Sequence, residues 1–321
     1  MKSSTKNAFK IIIPLVLGVV LVWYSLSRIS IQQLLEYFKE ADYTWVVLGV
    51  FCGLLSHASR AYRWLFMVEP LGYKAKFANS FMAVFSAYLV NFTIPRAGEV
   101  ARATILKNYE QVPFDKGFGT IIAERIADTI VLLIIIVITL FLEYEFISQY
   151  LLEKFNLSTL VLGGVALLFL AALVFYLIKN SESKIALKIK NFVIGLFEGV
   201  TSIFKMKKKW QFIFHTLFIW SMYILMFYVT SFSVEQLHEI SFATILIGFI
   251  FASFSIAATN GGIGSFPEAV VLAFLLFNLP EDPSRAFGWI MWTSQTLMIL
   301  VFGGLSFVFL PIYNKNRLKK R

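Results

Sequence analysis

The chain has 321 residues, of which 58% are hydrophobic and only 15% charged, against roughly 45–50% and about 25% in soluble domains. A globule of this composition would expose apolar surface and aggregate in water, which excludes a soluble fold and predicts an all-α integral membrane protein. The formal charge of +10 sits in short loops between apolar runs, where it sets topology, so the expected partner is a membrane surface and not nucleic acid.

The first apolar run, residues 9–26, follows Lys2, Lys6 and Lys10. It is long enough to cross a hydrocarbon core of about 30 Å and reads as a retained anchor in preference to a cleaved leader. Ile31, Leu34, Leu35 and Phe38 recur at helical spacing and predict a short amphipathic helix along the outer interface. Further spans are expected at 43–61, 118–142, 158–178, 212–232 and 285–310, six in all.

Two apolar regions do not behave as simple spans. Residues 77–112 are interrupted at Pro95 and Gly98 and continue into an arm carrying Glu99, Arg102 and Lys107. Residues 243–279 break at Asn260, Gly261, Gly262 and Gly264 before a thirteen-residue arm from Pro267 to Leu279, which as a helix reaches only about 20 Å. Each region is expected to be a broken or re-entrant helical hairpin. Between them, residues 184–205 alternate apolar positions (Ile189, Phe192, Val193, Leu196) with lysines (Lys184, Lys188, Lys190), the pattern of a basic amphipathic helix on the cytoplasmic leaflet. No polar stretch is long enough for a separate fold, so residues 1–321 form one expected membrane domain.

Loop charge tests this topology. If both hairpins return to the side they entered, 24 of the 29 basic residues face the cytoplasm and both chain ends lie there. If the first hairpin crossed once, the eight lysines between Lys179 and Lys209 would face outward, against the positive-inside rule. The two hairpins then enter from opposite sides. Interrupted segments in opposite orientation are the mark of inverted repeats, with a cavity where the breaks meet.

The breaks carry the candidate chemistry. Half-helices starting after Arg96 and Ser265 aim their positive ends into the breaks, where an anion can be received. Arg96 and Arg102 would grip a phosphate in the fork geometry guanidinium allows, with Arg60 and Arg63 approaching from the preceding span. Asn91, Asn260, Gly262 and Gly264 line the breaks. Glu99 reads equally as a first-turn acid and a site residue. Glu268 reads either as the closing member of a Ser265-Phe-Pro-Glu268 capping box or as part of the site. Arg60 and Arg63 also fit as positive-inside anchors, with Trp64 in an interface belt. Glu124, Arg125 and Asp128 stand inside a span, where each charge costs about 2.5–3.5 kcal/mol near the centre, so they must face protein or water. They read as an internal ion pair or as a polar, proton-coupled pathway. His57, His215 and His238 are isolated and the one cysteine, Cys52, lies in an apolar run. No metal, nucleotide or other cofactor is expected.

Taken in order, Arg60-Ala-Tyr-Arg63-Trp64, Asn91-Phe-Thr-Ile-Pro95-Arg96-Ala-Gly98-Glu99-Val-Ala-Arg102, Glu124-Arg125-Ile-Ala-Asp128 and Gly261-Gly-Ile-Gly264 with Glu268 resemble the flippase-like transmembrane region of lysylphosphatidylglycerol synthases. The resemblance covers roughly residues 9–310. It implies movement of a phospholipid between leaflets. In the synthases a separate cytoplasmic domain makes the aminoacylated lipid; here the sequence ends eleven residues after Leu310, so lipid handling without aminoacyl transfer is expected. The resulting expectation is a non-enzymatic, flippase-like transporter of a phospholipid or lipid-linked precursor in a bacterial cytoplasmic membrane. Its expected partners are phospholipids, anionic at the cytoplasmic face, and a separate lipid synthase. The rival readings are an intramembrane enzyme using Glu124 or Asp128 on a lipid phosphate, and a non-catalytic scaffold for that synthase.

Overall fold

The computed structural model describes residues 16, 18–94, 96–181, 183, 186–187, 190 and 206–315. The start of the first span, Pro95, both chain ends and nearly all of the expected amphipathic helix at 184–205 lie outside these residues. The described residues are helical throughout, without strands, and the chain is an all-α membrane protein. The helices are α1 (18–28), α2 (Ile31–Glu40), α3 (Tyr43–Val68), α4 (Phe77–Thr93), α5 (Ala97–Glu110), α6 (Phe114–Leu142), α7 (Tyr144–Lys154), α8 (Leu157–Asn180), α9 (Lys209–Ser231), α10 (Phe242–Ala258), α11 (Ser265–Leu275) and α12 (Glu281–Tyr313).

Helices α6, α9 and α12 are each long and apolar enough to cross a membrane, and α2 with α3 passes the same test as a pair bent by 83°. The spans run past the positions where charge would end them in sequence. Helix α3 continues to Val68 through Arg60 and Arg63, and α12 begins at Glu281, four residues before Arg285. Backbone hydrogen bonding carries a helix through charged positions whose side chains find partners. Helix α7 was not expected; Glu145 in its first turn and Lys154 in its last complement the helix dipole.

The starts are set by local chemistry. The Ser30 hydroxyl accepts from Gln33 N–H, the Asp42 carboxylate from Thr44 N–H and the Ser241 hydroxyl from Thr244 N–H, each satisfying a donor that has no intrahelical partner.

The two breaks are built differently. Ile94, which precedes Pro95, is extended at φ −129°, ψ 112°, as a residue before proline must be. Arg96 follows at φ 62°. The Asn91 side chain then accepts from Gly98 N–H at 2.7 Å, holding the arms of the first hairpin together. A Cβ on Gly98 would lie 2.1 Å from the Ala87 carbonyl oxygen, so α4 and α5 approach only because this residue has none. In the second hairpin the chain turns through Gly261, Gly262 and Gly264, all at positive φ. A Cβ on Gly264 would sit 2.4 Å from the Val22 backbone nitrogen, which seats α1 directly on this break. At 1.5 Å per residue, α4 and α10 (17 residues each) reach about 26 Å, α5 (14) about 21 Å and α11 (11) about 17 Å. All are shorter than a hydrocarbon core of about 30 Å.

The chain groups into two compact units, residues 1–124 with 210–321, and residues 125–209. In the first unit, α4 packs on α3, α5 and α12, and α11 packs on α10 and α12. Small residues allow the close contacts: Gly303 of α12 lies against Phe85 and Leu89 of α4, and Gly49 and Gly53 of α3 against Met226 and Thr230 of α9. This is how helices associate where lipid removes any hydrophobic drive between them. The second unit holds the rest of α6 with α7 and α8.

Two runs of four elements repeat at a constant interval. Helices α3 and α9 begin 166 residues apart, α4 and α10 165, α5 and α11 168, and α6 and α12 167. Each run is span, broken hairpin, span. The same offset of 166 places Gly98 over Gly264 and Arg102 over Glu268.

Candidate functional site

In the first run, three guanidinium groups converge on one carboxylate. Arg102 holds Glu124 in a two-pronged grip, Nη1 to Oε1 at 3.1 Å and Nη2 to Oε2 at 2.9 Å. Arg60 Nη1 donates to Glu124 Oε1 at 2.5 Å and Arg63 Nη2 lies 3.4 Å from the same oxygen. The side chains of all four residues are at most 5% exposed. Arg60 and Arg63 come from α3 at a spacing of three, which puts both on one helix face. Arg102 comes from the returning arm α5, and Glu124 from the eleventh position of α6.

The surroundings fix these groups in place. Arg102 stacks over the Trp64 ring at 3.8 Å, and Trp64 Nε1 donates to Thr120 Oγ1 at 2.8 Å. Arg63 donates to Thr216 Oγ1 at 2.8 Å and lies over Phe212. Trp64 is therefore not an interface-belt residue: it is 0% exposed, because its indole lies between a cation and a hydroxyl. His57, one turn before Arg60, is buried among Phe85, Tyr88 and Tyr223, with its Nδ1 3.4 Å from the Tyr223 hydroxyl.

The second run carries a counterpart of opposite composition. Arg285 donates Nε to Glu268 Oε1 at 2.9 Å and Nη2 to Glu281 Oε1 at 2.8 Å, with Asp282 at 3.8 Å from Nη1. The Ser25 hydroxyl of α1 donates to Glu268 Oε1 at 2.6 Å and accepts from Trp289 Nε1 at 3.1 Å. The capping-box reading of Glu268 is thereby corrected. The residue before the helix is Gly264, no side chain caps the start, and the Glu268 carboxylate is engaged by α1 and α12.

The two breaks meet each other. Asn260 Nδ2 donates to the Phe92 carbonyl oxygen at 2.8 Å, Gly261 lies against the Phe92 ring, and Trp292 Nε1 donates to the Gly261 carbonyl at 2.9 Å. Thr259 and Ser265 hydroxyls bond across the second break at 2.8 Å. Buried backbone that leaves helical geometry is thus satisfied from within the protein.

Of the residues singled out in sequence, Arg60, Arg63, Arg102 and Glu124 come together. Asn91 and Asn260 stitch the breaks, Gly262 and Gly264 form the second turn, and Glu268 joins Arg285. Arg96 is exposed at the head of α5, while Arg102 turns its guanidinium to Glu124. Glu99 is partly buried in the first turn of α5, and Arg125 and Asp128, exposed and buried respectively, belong to the second unit. Sequence reasoning passed over Ser25 and Arg285. Arg285 was treated as a loop cation, although its spacing of four from Glu281 and its place on the acidic outer side marked it as an acid's partner. A further buried knot was also missed: Asn79 Nδ2 donates to Glu110 Oε1 at 2.6 Å and to Asn314 Oδ1 at 3.0 Å, and Asn314 Nδ2 donates back to Asn79 Oδ1 at 2.7 Å. It joins the start of α4 to the ends of α5 and α12. Among the described residues no group of three or more His, Cys, Asp or Glu could hold a metal ion.

Comparison with known proteins places this arrangement in context. A family model described as "Lysylphosphatidylglycerol synthase TM region" matches residues 11–311. A UPF0104 membrane protein of Methanocaldococcus jannaschii is 26% identical over 85% of this chain and 86% of its own length. A UPF0104 membrane protein of Pyrococcus horikoshii is 23% identical over 51% of this chain and 49% of its own length. A protein named glycosyltransferase AglD, of Haloferax volcanii, is 25% identical over 36% of this chain but only 19% of its own length. No solved structure matches.

Proposed function

Because the chain belongs to the family of lysylphosphatidylglycerol synthase transmembrane regions, we propose that it moves a phospholipid or lipid-linked precursor between membrane leaflets, with no covalent step of its own. The observation that supports this reading most is the meeting of the two broken hairpins, Asn260 against the Phe92 carbonyl. Loop charge brings these hairpins in from opposite sides of a cytoplasmic membrane with both chain ends inside. Non-helical backbone at that depth has a use where a polar group must pass, and a repeat inverted about it supplies two alternating entrances. Arg96, exposed at the amino end of α5, is the cation best placed to draw an anionic headgroup to the first break.

The test is lipid movement in proteoliposomes, read by quenching a headgroup-labelled lipid from outside. The protein should accelerate movement over protein-free vesicles, and Arg96→Ala should slow an anionic probe several-fold without changing the protein's thermal midpoint. No acceleration for any of a set of anionic, zwitterionic and lipid-linked sugar probes would refute the proposal. The partial likeness to a protein named as a glycosyltransferase favours one second reading, a membrane scaffold for an enzyme acting on lipid-linked sugars. That reading predicts co-purification with such an enzyme and no lipid movement by the chain alone.

A further inference from the structure

We infer that the ion pairs Arg102–Glu124 and Glu268–Arg285 are counterpart latches, one for each side of the membrane, and that breaking either opens its own side and closes the other. The inference rests on the transport reading and specifies how its two entrances are controlled.

The argument begins with the repeat. Four consecutive elements recur at intervals of 165 to 168 residues, and at an offset of 166 Arg102 coincides with Glu268. In both runs that position lies on the returning arm of the hairpin, and in both its side chain is tied to the span that follows. Arg102 of α5 grips Glu124 of α6, and Glu268 of α11 grips Arg285 of α12. The signs are exchanged while the mechanical connection is the same. A structural ion pair arising once by chance would have no reason to recur at the matching place in the other run.

Depth separates the two pairs. By loop charge, α6 rises from the cytoplasm, and Glu124, ten residues past its start, lies about 15 Å along it. Arg60, eight residues before the end of α3, comes down from the opposite end to the same half. Helix α12 descends from the outside, and Arg285, four residues past its start, lies about 6 Å from that end, beside Ser25 near the outer end of α1. One pair thus closes the seam between hairpin and span in the inner half, the other in the outer half.

Each pair also recruits an element from outside its own hairpin: α3 through Arg60 and Arg63, and α1 through Ser25. Both pairs are made in this structure and the breaks are bonded together, which is a state closed on both sides. In an alternating mechanism the inward-open form keeps the outer pair and loses the inner, and the outward-open form does the reverse. Neutralising Glu268 penalises the forms that keep the outer pair and shifts the population outward; neutralising Glu124 shifts it inward.

The experiment follows labelling of one cysteine by a membrane-impermeant maleimide. Cys52, the one cysteine of the chain, is replaced by alanine, and Thr259→Cys, beside the meeting point of the breaks, serves as reporter. The protein is presented in right-side-out and inside-out vesicles. Glu268→Gln should raise labelling from outside and lower it from inside, each by at least about threefold, which corresponds to a shift of under 1 kcal/mol. Glu124→Gln should do the reverse. Arg285→Gln and Arg102→Gln remove the other halves of the same pairs and must follow the direction of their partners, which keeps the test valid if one substitution prevents folding. Substitutions at both pairs that change labelling in the same direction, or not at all, overturn the inference. Lipid movement is measured in the same vesicles. Opposed labelling shifts without movement of any lipid probe would sink the transport reading and keep the latches; lipid movement with labelling indifferent to both pairs would sink the latches and keep the transport.

Discussion

Glu124→Ala removes the one carboxylate on which Arg60, Arg63 and Arg102 converge. Taking one partner from a buried ion pair costs about 3–5 kcal/mol, because the remaining charge stays desolvated. Here a two-pronged contact and a 2.5 Å hydrogen bond are lost together, which places the effect toward the upper end. For a chain of this size each kcal/mol moves the thermal midpoint by about 2–4 °C, so the midpoint should fall by about 10–20 °C. Glu124→Gln keeps the shape and one acceptor oxygen for a guanidinium and should lose about half as much. Arg102→Ala added to Glu124→Ala should cost far less than Arg102→Ala alone, since the two act on one contact. The assay is the fraction of detergent-solubilised protein that stays monodisperse by size exclusion after a temperature series. A Glu124→Ala midpoint within about 2 °C of the parent would refute the claim that this cluster holds α3, α5 and α6 together.

Two other substitutions test the hairpins by the same measurement. Gly98→Ala forces a methyl group to within 2.1 Å of the Ala87 carbonyl oxygen; the arms must separate, at a cost of about 1–3 kcal/mol, and an unchanged midpoint would mean that α4 and α5 are not in contact there. Asn79→Ala leaves Glu110 and Asn314 short of partners in a buried knot and should destabilise by about 1–3 kcal/mol, whereas a surface asparagine such as Asn156 changed in the same way should have almost no effect.

Much of the architecture was legible because lipid leaves few options. Long apolar runs, loop charge and the two proline- and glycine-marked breaks led to the membrane-protein class and to the placing of both hairpins. The span ends were less legible, because a charged residue ends a hydropathy window but not a helix: Arg60 and Arg63 lie well inside α3. The intramembrane charges were visible as anomalies, yet their partners were not. Glu124 was weighed against Arg125 and Asp128, its near neighbours in sequence, while its ligands come from 64, 61 and 22 residues away. Long-range pairing follows from how α3 and α5 pack on α6, which no local pattern reports. Glu268 illustrates the same limit. Its sequence context satisfies a capping box, but a helix start that can borrow Ser25 and Arg285 does not need its own fourth residue as a cap. The repeat was only half visible in sequence, in the likeness of the two breaks, because its counterpart ionic residues have opposite signs and no alignment by residue type would join them.

The ionic pairs themselves call for a reason beyond stability. Replacing a buried ion pair by apolar groups of similar volume is often neutral or stabilising by 1–4 kcal/mol, so a fold that needed only rigidity would be served better by leucine and methionine. An apolar seam, however, resists wetting, while a guanidinium and a carboxylate can exchange each other for water or for a headgroup and then rejoin. This distinction is tested at Glu268 and Arg285, where the other carboxylates around Arg285, Glu281 and Asp282, are partly exposed and can be solvated once the pair is gone. The double substitution Glu268→Met with Arg285→Leu should leave the thermal midpoint unchanged or raise it by a few degrees, and should abolish lipid movement by sealing the outer seam. A lower midpoint with undiminished movement would show that the pair serves packing alone, and that the polar groups of the second hairpin have no part in opening it.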